Sequence, residues 1–198
     1  MTTPLRILGA IAATFLLAST ASAQTTPTTT VAHTDDTRRI GVLGGFEFED
    51  DTGFGLRGDV ELMPLAPVGQ GTLKLLGSVG WTYFSQGEGG VDVTTNVFRF
   101  IPGVRLSYPL QDKLGVYGDA GLGLYHARLS VDDVFVPGVG NVGGGSDSET
   151  SLLVRLAAGG FYEVSPSMRI VAEVGLMPHF GDFDINPFTL FGGVSFAF

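Results

Sequence analysis

Between Arg39 and Phe198 apolar residues recur at every second position, in eight runs of about ten residues each. In the run 54–62, Phe54, Leu56, Gly58, Val60 and Leu62 alternate with Gly55, Arg57, Asp59 and Glu61. Successive side chains of a strand point to opposite sides, so this run predicts a strand with one oily face and one charged face. The same rule holds at 39–48, 72–84, 95–108, 114–127, 150–163, 168–178 and 188–198.

Within these runs the charged residues fall on the face opposite the apolar set. Arg39 is set aside at the mouth. The charged face then holds six acids (Glu47, Asp59, Glu61, Asp119, Glu163, Glu173) and six bases (Arg57, Lys74, Arg99, Arg105, Arg155, Arg169). A soluble sandwich or barrel would turn the apolar faces inward. Those faces carry Trp81, Tyr83, Tyr108, Tyr162 and many Phe, too much bulk for the narrow interior of eight strands. They must face lipid. The expected fold is therefore all-β, an eight-stranded antiparallel up-and-down transmembrane β-barrel whose lumen is filled by a balanced network of ion pairs. Gly45, Gly55, Gly121, Gly123, Gly159 and Gly193 leave room inside for long charged side chains.

The N-terminus adds an address. Arg6, the apolar stretch 7–18 and Ala21-Ser22-Ala23 form a secretory signal expected to be cleaved after residue 23. Its core is too short to span a bilayer as a helix. Residues 24–38, rich in Thr, are expected to be a disordered periplasmic lead-in, and 39–198 the barrel. With that N-terminus periplasmic, the connections 49–53, 85–92, 128–149 and 180–187 face outside, and the shorter 63–71, 109–113 and 164–167 face inside. Trp81, Tyr83, Phe48, Phe54 and Phe188 would then form the outer aromatic girdle, and Tyr108, Tyr162, Phe196 and Phe198 the inner one.

Composition narrows the function. The 198 residues are 16% charged, contain no Cys and carry a net charge of −9. Thiol and disulfide chemistry are excluded, and the sign of the charge argues against nucleic acid as a partner. Beyond the signal no apolar run is long enough for a membrane helix.

The chain resembles the small outer-membrane β-barrel superfamily of Gram-negative bacteria, relatives of the OmpA and OmpX barrels, over 39–198. The most specific element is Gly193-x-x-Phe196-x-Phe198, similar to the superfamily's final-strand assembly signal, although the usual polar position is Phe191. The resemblance implies insertion by the barrel-assembly machinery and outer-membrane lipid and lipopolysaccharide as surroundings. It implies no single activity. A monomer is expected.

Candidate chemistry is sparse. Eleven acids cluster in the outer connections: Glu49, Asp50, Asp51, Glu88, Asp92, Asp132, Asp133, Asp147, Glu149, Asp182 and Asp184. They could bridge divalent cations to lipopolysaccharide phosphates or serve as a solvated acidic surface. Asp182-x-Asp184-x-Asn186 begins like an EF-hand loop, but Pro187 stands where glycine is needed. His126 and His179 near the rim, with Ser130 and the 146–149 cluster, raise a lipid hydrolase as an alternative. The His-x-Ser-Asn pattern of the lipid A deacylase barrels is absent, His126 being followed by Ala127-Arg128-Leu129. The loop 128–149, with Val131, Val134, Phe135, Val136 and Val139 beside a glycine run, could be a recognition loop or filler. The expected role is a non-enzymatic structural or surface-interaction protein of the envelope without cofactor or metal; a narrow passive porin is the other alternative.

Overall fold

Period-two patterning is converted into strands throughout the computed structural model. It describes residues 35–49, 51–88, 91–131, 134–136, 140–142, 144–181 and 186–198. The expected signal, most of the lead-in, and the Asp182 to Asp184 part of the cation-loop motif lie outside the described residues. The elements are β1 (Arg39–Phe48), β2 (Thr52–Val68), β3 (Gly71–Glu88), β4 (Val91–Pro109), β5 (Leu114–Val131), β6 (Val134–Val136), β7 (Gly140–Val142), β8 (Gly145–Ser165), β9 (Met168–Leu176), β10 (His179–Phe180) and β11 (Phe188–Ala197).

Eight antiparallel staves close into a ring in the order β1, β2, β3, β4, β5, β8, β9 and β11, with β11 pairing back to β1 from Phe48↔Phe188 to Arg39↔Ala197. The two-residue β10 continues the β9 stave past Met177 and Pro178, since Leu156↔Leu176 and Leu153↔His179 keep the same register. The hairpin β6–β7 stands apart as a separate two-stranded sheet. Closure leaves no free edge within the apolar band, which a β structure in hydrocarbon requires.

Facing follows the alternation. Phe98, Val174 and Leu190 are about half exposed, whereas Arg99 and Glu173 are buried. The large apolar side chains meet surroundings, and the ions meet one another. Aromatic rings form an outward belt: Phe46 and Phe54 are edge-on at 6.2 Å, Phe48 and Phe188 lie 6.4 Å apart, and so do Trp81 and Tyr83. Tyr108, Tyr162, Phe196 and Phe198 are exposed toward the opposite end. From Phe98 to Tyr108 the chain rises about 33 Å along the strand, or roughly 25 Å at the usual tilt, the height of an apolar band.

Several strands outrun the expected runs. The connection placed at 63–71 shrinks to the turn at Gly69 and Gln70, where Gly69 adopts a φ of +61°. Pro64 and Pro67 stay within β2 because the ladder slips beside them, at Glu61/Met63 and again at Pro64/Ala66. A residue without an N–H is tolerated at such a bulge. The connections placed at 85–92 and 128–149 are largely strand as well, with β3–β4 paired as far as Glu88↔Val91 and β5–β8 as far as Val131↔Gly145. Four staves thus continue beyond the girdle at one end. Hydrophobic patterning ended the runs where lipid ends, but backbone pairing needs no lipid.

Candidate functional site

The lumen is the densest polar feature of the molecule, and every stave contributes to it. Arg57 (β2), Arg105 (β4) and Arg155 (β8) converge on Asp59 (β2), Asp119 (β5) and Glu173 (β9). Arg57 donates through Nη1 and Nη2 to Glu173 Oε1 and Oε2 at 2.8 and 2.9 Å, and through Nε to Asp59 Oδ1 at 2.9 Å. Arg105 grips Asp119 with Nε and Nη2, both at 2.8 Å, and its Nη2 also reaches Asp59 Oδ2 at 3.3 Å. Arg155 Nη2 lies 2.8 Å from Asp119 Oδ2 and 2.9 Å from Glu173 Oε1. The three carboxylates lie close enough together to resemble a cation cage. All six of their oxygens accept guanidinium N–H bonds, so a metal ion would have to displace an arginine.

A second layer sits toward the long-strand end. Arg99 (β4) makes a bidentate pair with Glu47 (β1), both bonds 2.8 Å, and Thr82 (β3) donates to Glu47 Oε1 at 2.9 Å. Arg99 Nε donates to His179 Nε2 at 3.0 Å, which requires that nitrogen to be unprotonated. The Tyr125 ring meets the His179 ring edge-on at 4.6 Å. The apolar cluster Phe84, Val97, Ile101, Tyr125, Ala127, Leu153 and Met177 closes this end.

The opposite mouth is sealed by the segment before β1. Lys74 Nζ (β3) donates to Glu61 Oε2 at 3.2 Å, to Asp35 Oδ2 at 2.9 Å and to the Thr37 carbonyl at 2.7 Å. The Asp35 N–H donates to Thr72 Oγ1 at 3.2 Å. Burial pushes the Asp35 carboxyl up, but hydrogen bonds with Lys74 and Thr37 and the Lys74 charge outweigh it and hold the group below its ordinary value. Arg169 pairs with Glu163 through Nε at 2.8 Å. Arg39, set aside from the sequence as a mouth residue, is buried: its Nη2 lies 3.9 Å from Glu163, and its Nε and Nη1 find no partner.

Aromatic rings complete the packing. Arg105 stacks over Tyr117 at 4.1 Å, Arg169 over Phe161 at 4.3 Å and Arg57 over Phe191 at 5.0 Å. Phe191, which departs from the expected polar position of the terminal motif, thereby faces a guanidinium. Two lumenal cavities lined by these groups amount to about 10 Å³ each, room for about one water molecule.

The twelve charged residues singled out from the sequence all point inward, with Glu163 the least covered. Asp35, Thr82, Tyr117 and His179 belong to the same network. Parity alone marks Thr82, Tyr117 and His179, because each shares the inward phase of a nearby charge. Asp35 gives no periodic signal. The two histidines are not brought together: His179 is buried in the lumen, whereas His126 is exposed on the outer face, bonded to Thr150 Oγ1 at 2.8 Å. Ser130 pairs across to Ser146. Gly193 sits opposite Leu43 in the β1–β11 seam, with Phe196 and Phe198 exposed outward.

Solved structures of similar fold are membrane barrels. Neisserial surface protein A matches with a TM-score of 0.54 at 16% identity, covering 82% of this chain and 96% of that one. A major outer membrane protein from Thermus thermophilus gives 0.52 at 14%, covering 81% and 99%. Ail, the attachment invasion locus protein of Yersinia pestis, gives 0.50 at 18%, covering 82% and 97%. No curated protein sequence matches the chain. A family model, the outer membrane protein β-barrel domain, matches residues 9–198. With an apolar exterior, an ionic interior and a match across nearly its whole length, the chain belongs to the outer membrane protein β-barrel domain family.

Proposed function

We propose that this protein is a non-enzymatic, non-conducting anchor that holds its extended staves at the cell surface as an interaction platform. The filled lumen carries the reading: the central carboxylate oxygens are all engaged by guanidinium groups, and the neighbouring cavities are of water size. A pore needs a continuous hydrated path, and a side-chain network this dense offers none. The long-strand end faces outside, in keeping with longer outer connections in such barrels. Gly193, Phe196 and Phe198 serve as the signal read by the assembly machinery, and the protein works as a monomer surrounded by outer-membrane lipid and lipopolysaccharide.

The lipid-hydrolase alternative loses its motivation, since His126 and His179 occupy opposite faces of the wall. Planar-bilayer recording of the purified barrel tests the proposal against the porin alternative. A flat baseline is expected; reproducible single-channel steps would overturn it.

A further inference from the structure

Along each of the four long staves the outward face turns from apolar to polar at one depth. On β3 the change falls after Tyr83, at Ser85; on β4 it lies between Phe98 and Asn96, with Thr94 beyond. On β5 it lies between Leu124 and His126, followed by Arg128 and Ser130, and on β8 between Leu152 and Thr150, followed by Ser148 and Ser146. The Trp81 indole N–H donates to Asn96 Oδ1 at 3.2 Å across the boundary. An indole tethered in this way marks the interface, where aromatic rings meet lipid headgroups. His126 stands at headgroup depth, and Arg128 is the next outward residue above it.

Register makes these side chains one patch. Arg128 lies between Asn96 and Ser148, Ser130 between Thr94 and Ser146, and His126 between Phe98 and Thr150. Two polar side chains on β4 and three each on β5 and β8 form a field of about 10 by 13 Å, with Phe98 at its membrane-side corner. It holds five hydroxyls, one amide, one guanidinium and one imidazole.

The charge arrangement is unusual. In the sequence, the four connections 49–53, 85–92, 128–149 and 180–187 together hold eleven acids but, in Arg128, one Lys or Arg. Arg128 is exposed and ion-pairs with no acid among the described residues. Strand phase explains why: Asp147 and Glu149 flank its partner Ser148 and therefore belong to the opposite face. Glu149 crowds Gly181 together with the Tyr125 hydroxyl on that inner side. The fold thus turns Asp147 and Glu149 away from Arg128, which stands at headgroup depth without an ion pair to a described acid.

We infer that this patch binds the phosphorylated disaccharide headgroup of an outer-leaflet saccharolipid. Arg128 clamps a phosphate, supported by His126, while Asn96, Thr94, Ser130 and Ser148 hydrogen-bond sugar hydroxyls. The outer leaflet as source rests on the orientation proposed above. Contact is direct and does not use the acidic loops as a cation bridge.

The test compares thermal unfolding of the full barrel in phosphatidylcholine vesicles with and without diphosphorylated lipid A, in EDTA. Lipid A should raise the midpoint. Arg128→Gln should weaken lipid A binding at least tenfold, Arg128→Lys should retain part of it, and the monophosphorylated or dephosphorylated lipid should protect progressively less. Full protection of Arg128→Gln overturns the site; so does loss of the wild-type effect in EDTA, or equal protection by phosphatidylglycerol. Orientation is read separately, by labelling Ser146→Cys on intact cells with an impermeant maleimide in a chain that otherwise has no cysteine. Absence of surface labelling overturns the outer-leaflet source and the proposed platform together, whereas an unchanged Arg128→Gln overturns the site alone.

Discussion

Arg57 on β2 and Glu173 on β9, 116 residues apart in sequence, share two parallel hydrogen bonds of 2.8 and 2.9 Å across the lumen. Both side chains are buried, so neither charge has water to fall back on. The pair ties together two staves that are not neighbours in the ring, which the sheet ladder alone does not do. Arg57→Met should therefore cost roughly 3 to 5 kcal/mol, measured by reversible urea unfolding in phospholipid vesicles. Arg39→Met should cost clearly less, because Arg39 has one long ion pair and two donors already without partners. Equal losses for the two variants would show that burial alone, rather than pairing, sets the cost.

Closure of the ring depends on close approach at the β1–β11 seam. A Cβ on Gly45 would lie 2.1 Å from the Leu190 carbonyl oxygen and 2.7 Å from Phe191 Cα, and backbone cannot step aside cheaply. A Cβ on Gly77, in β3, would meet nothing within 4 Å. Gly45→Ala should cost roughly 1 to 3 kcal/mol by overpacking. Gly77→Ala should be neutral or slightly stabilising, by up to about 1 kcal/mol, through the unfolded chain. The difference is readable as the fraction of folded barrel on a gel run without boiling.

Which features the sequence reveals follows from what generates its pattern. Lipid on one side and ions on the other impose a period of two, so Phe98 beside Arg99 and Val174 beside Glu173 disclose both the strands and their facing. Pairing beyond the lipid leaves no such mark. The staves of β5 and β8 continue to Val131↔Gly145 through a stretch that reads as loop, because Ser, Thr and Gly satisfy a ladder as well as they satisfy a turn. Partner identity is also silent: nothing near Arg99 in the chain points to Glu47 or His179, since ring closure sets those contacts. Asp35 is the extreme case, a lumenal ligand contributed by a segment without periodicity.

That contact carries a pH dependence. The folded-state value of Asp35 lies below its unfolded one, so its contribution is fully present above about pH 4 and is lost as the pH falls through the lower folded value. Acidification should release the segment before β1 from Lys74 and Thr72, raising amide hydrogen exchange at Asp35 and Thr37. Asp35→Asn should exchange fast at every pH and lose the acid transition. A transition that persists in Asp35→Asn would show that Asp35 does not carry it.

Polarity of the wall is the premise shared by every role assigned here, and Val174 tests it directly. Its side chain is 45% exposed, and in the ladder it stands between Ala158 and Leu190, near the middle of the apolar band. Val174→Arg places a guanidinium in hydrocarbon, where it must snorkel or thin the bilayer, at about 2 to 4 kcal/mol near the midplane. Asp147→Ala, at an exposed position above the girdle, should change stability by less than about 0.5 kcal/mol. The comparison belongs in vesicles of two thicknesses. A penalty set by lipid should shrink in thinner bilayers, where the guanidinium reaches water sooner, whereas a packing defect would cost the same in both. A thickness-independent penalty would mean that Val174 meets protein rather than lipid, and the ionic lumen would then have to be placed on the outside.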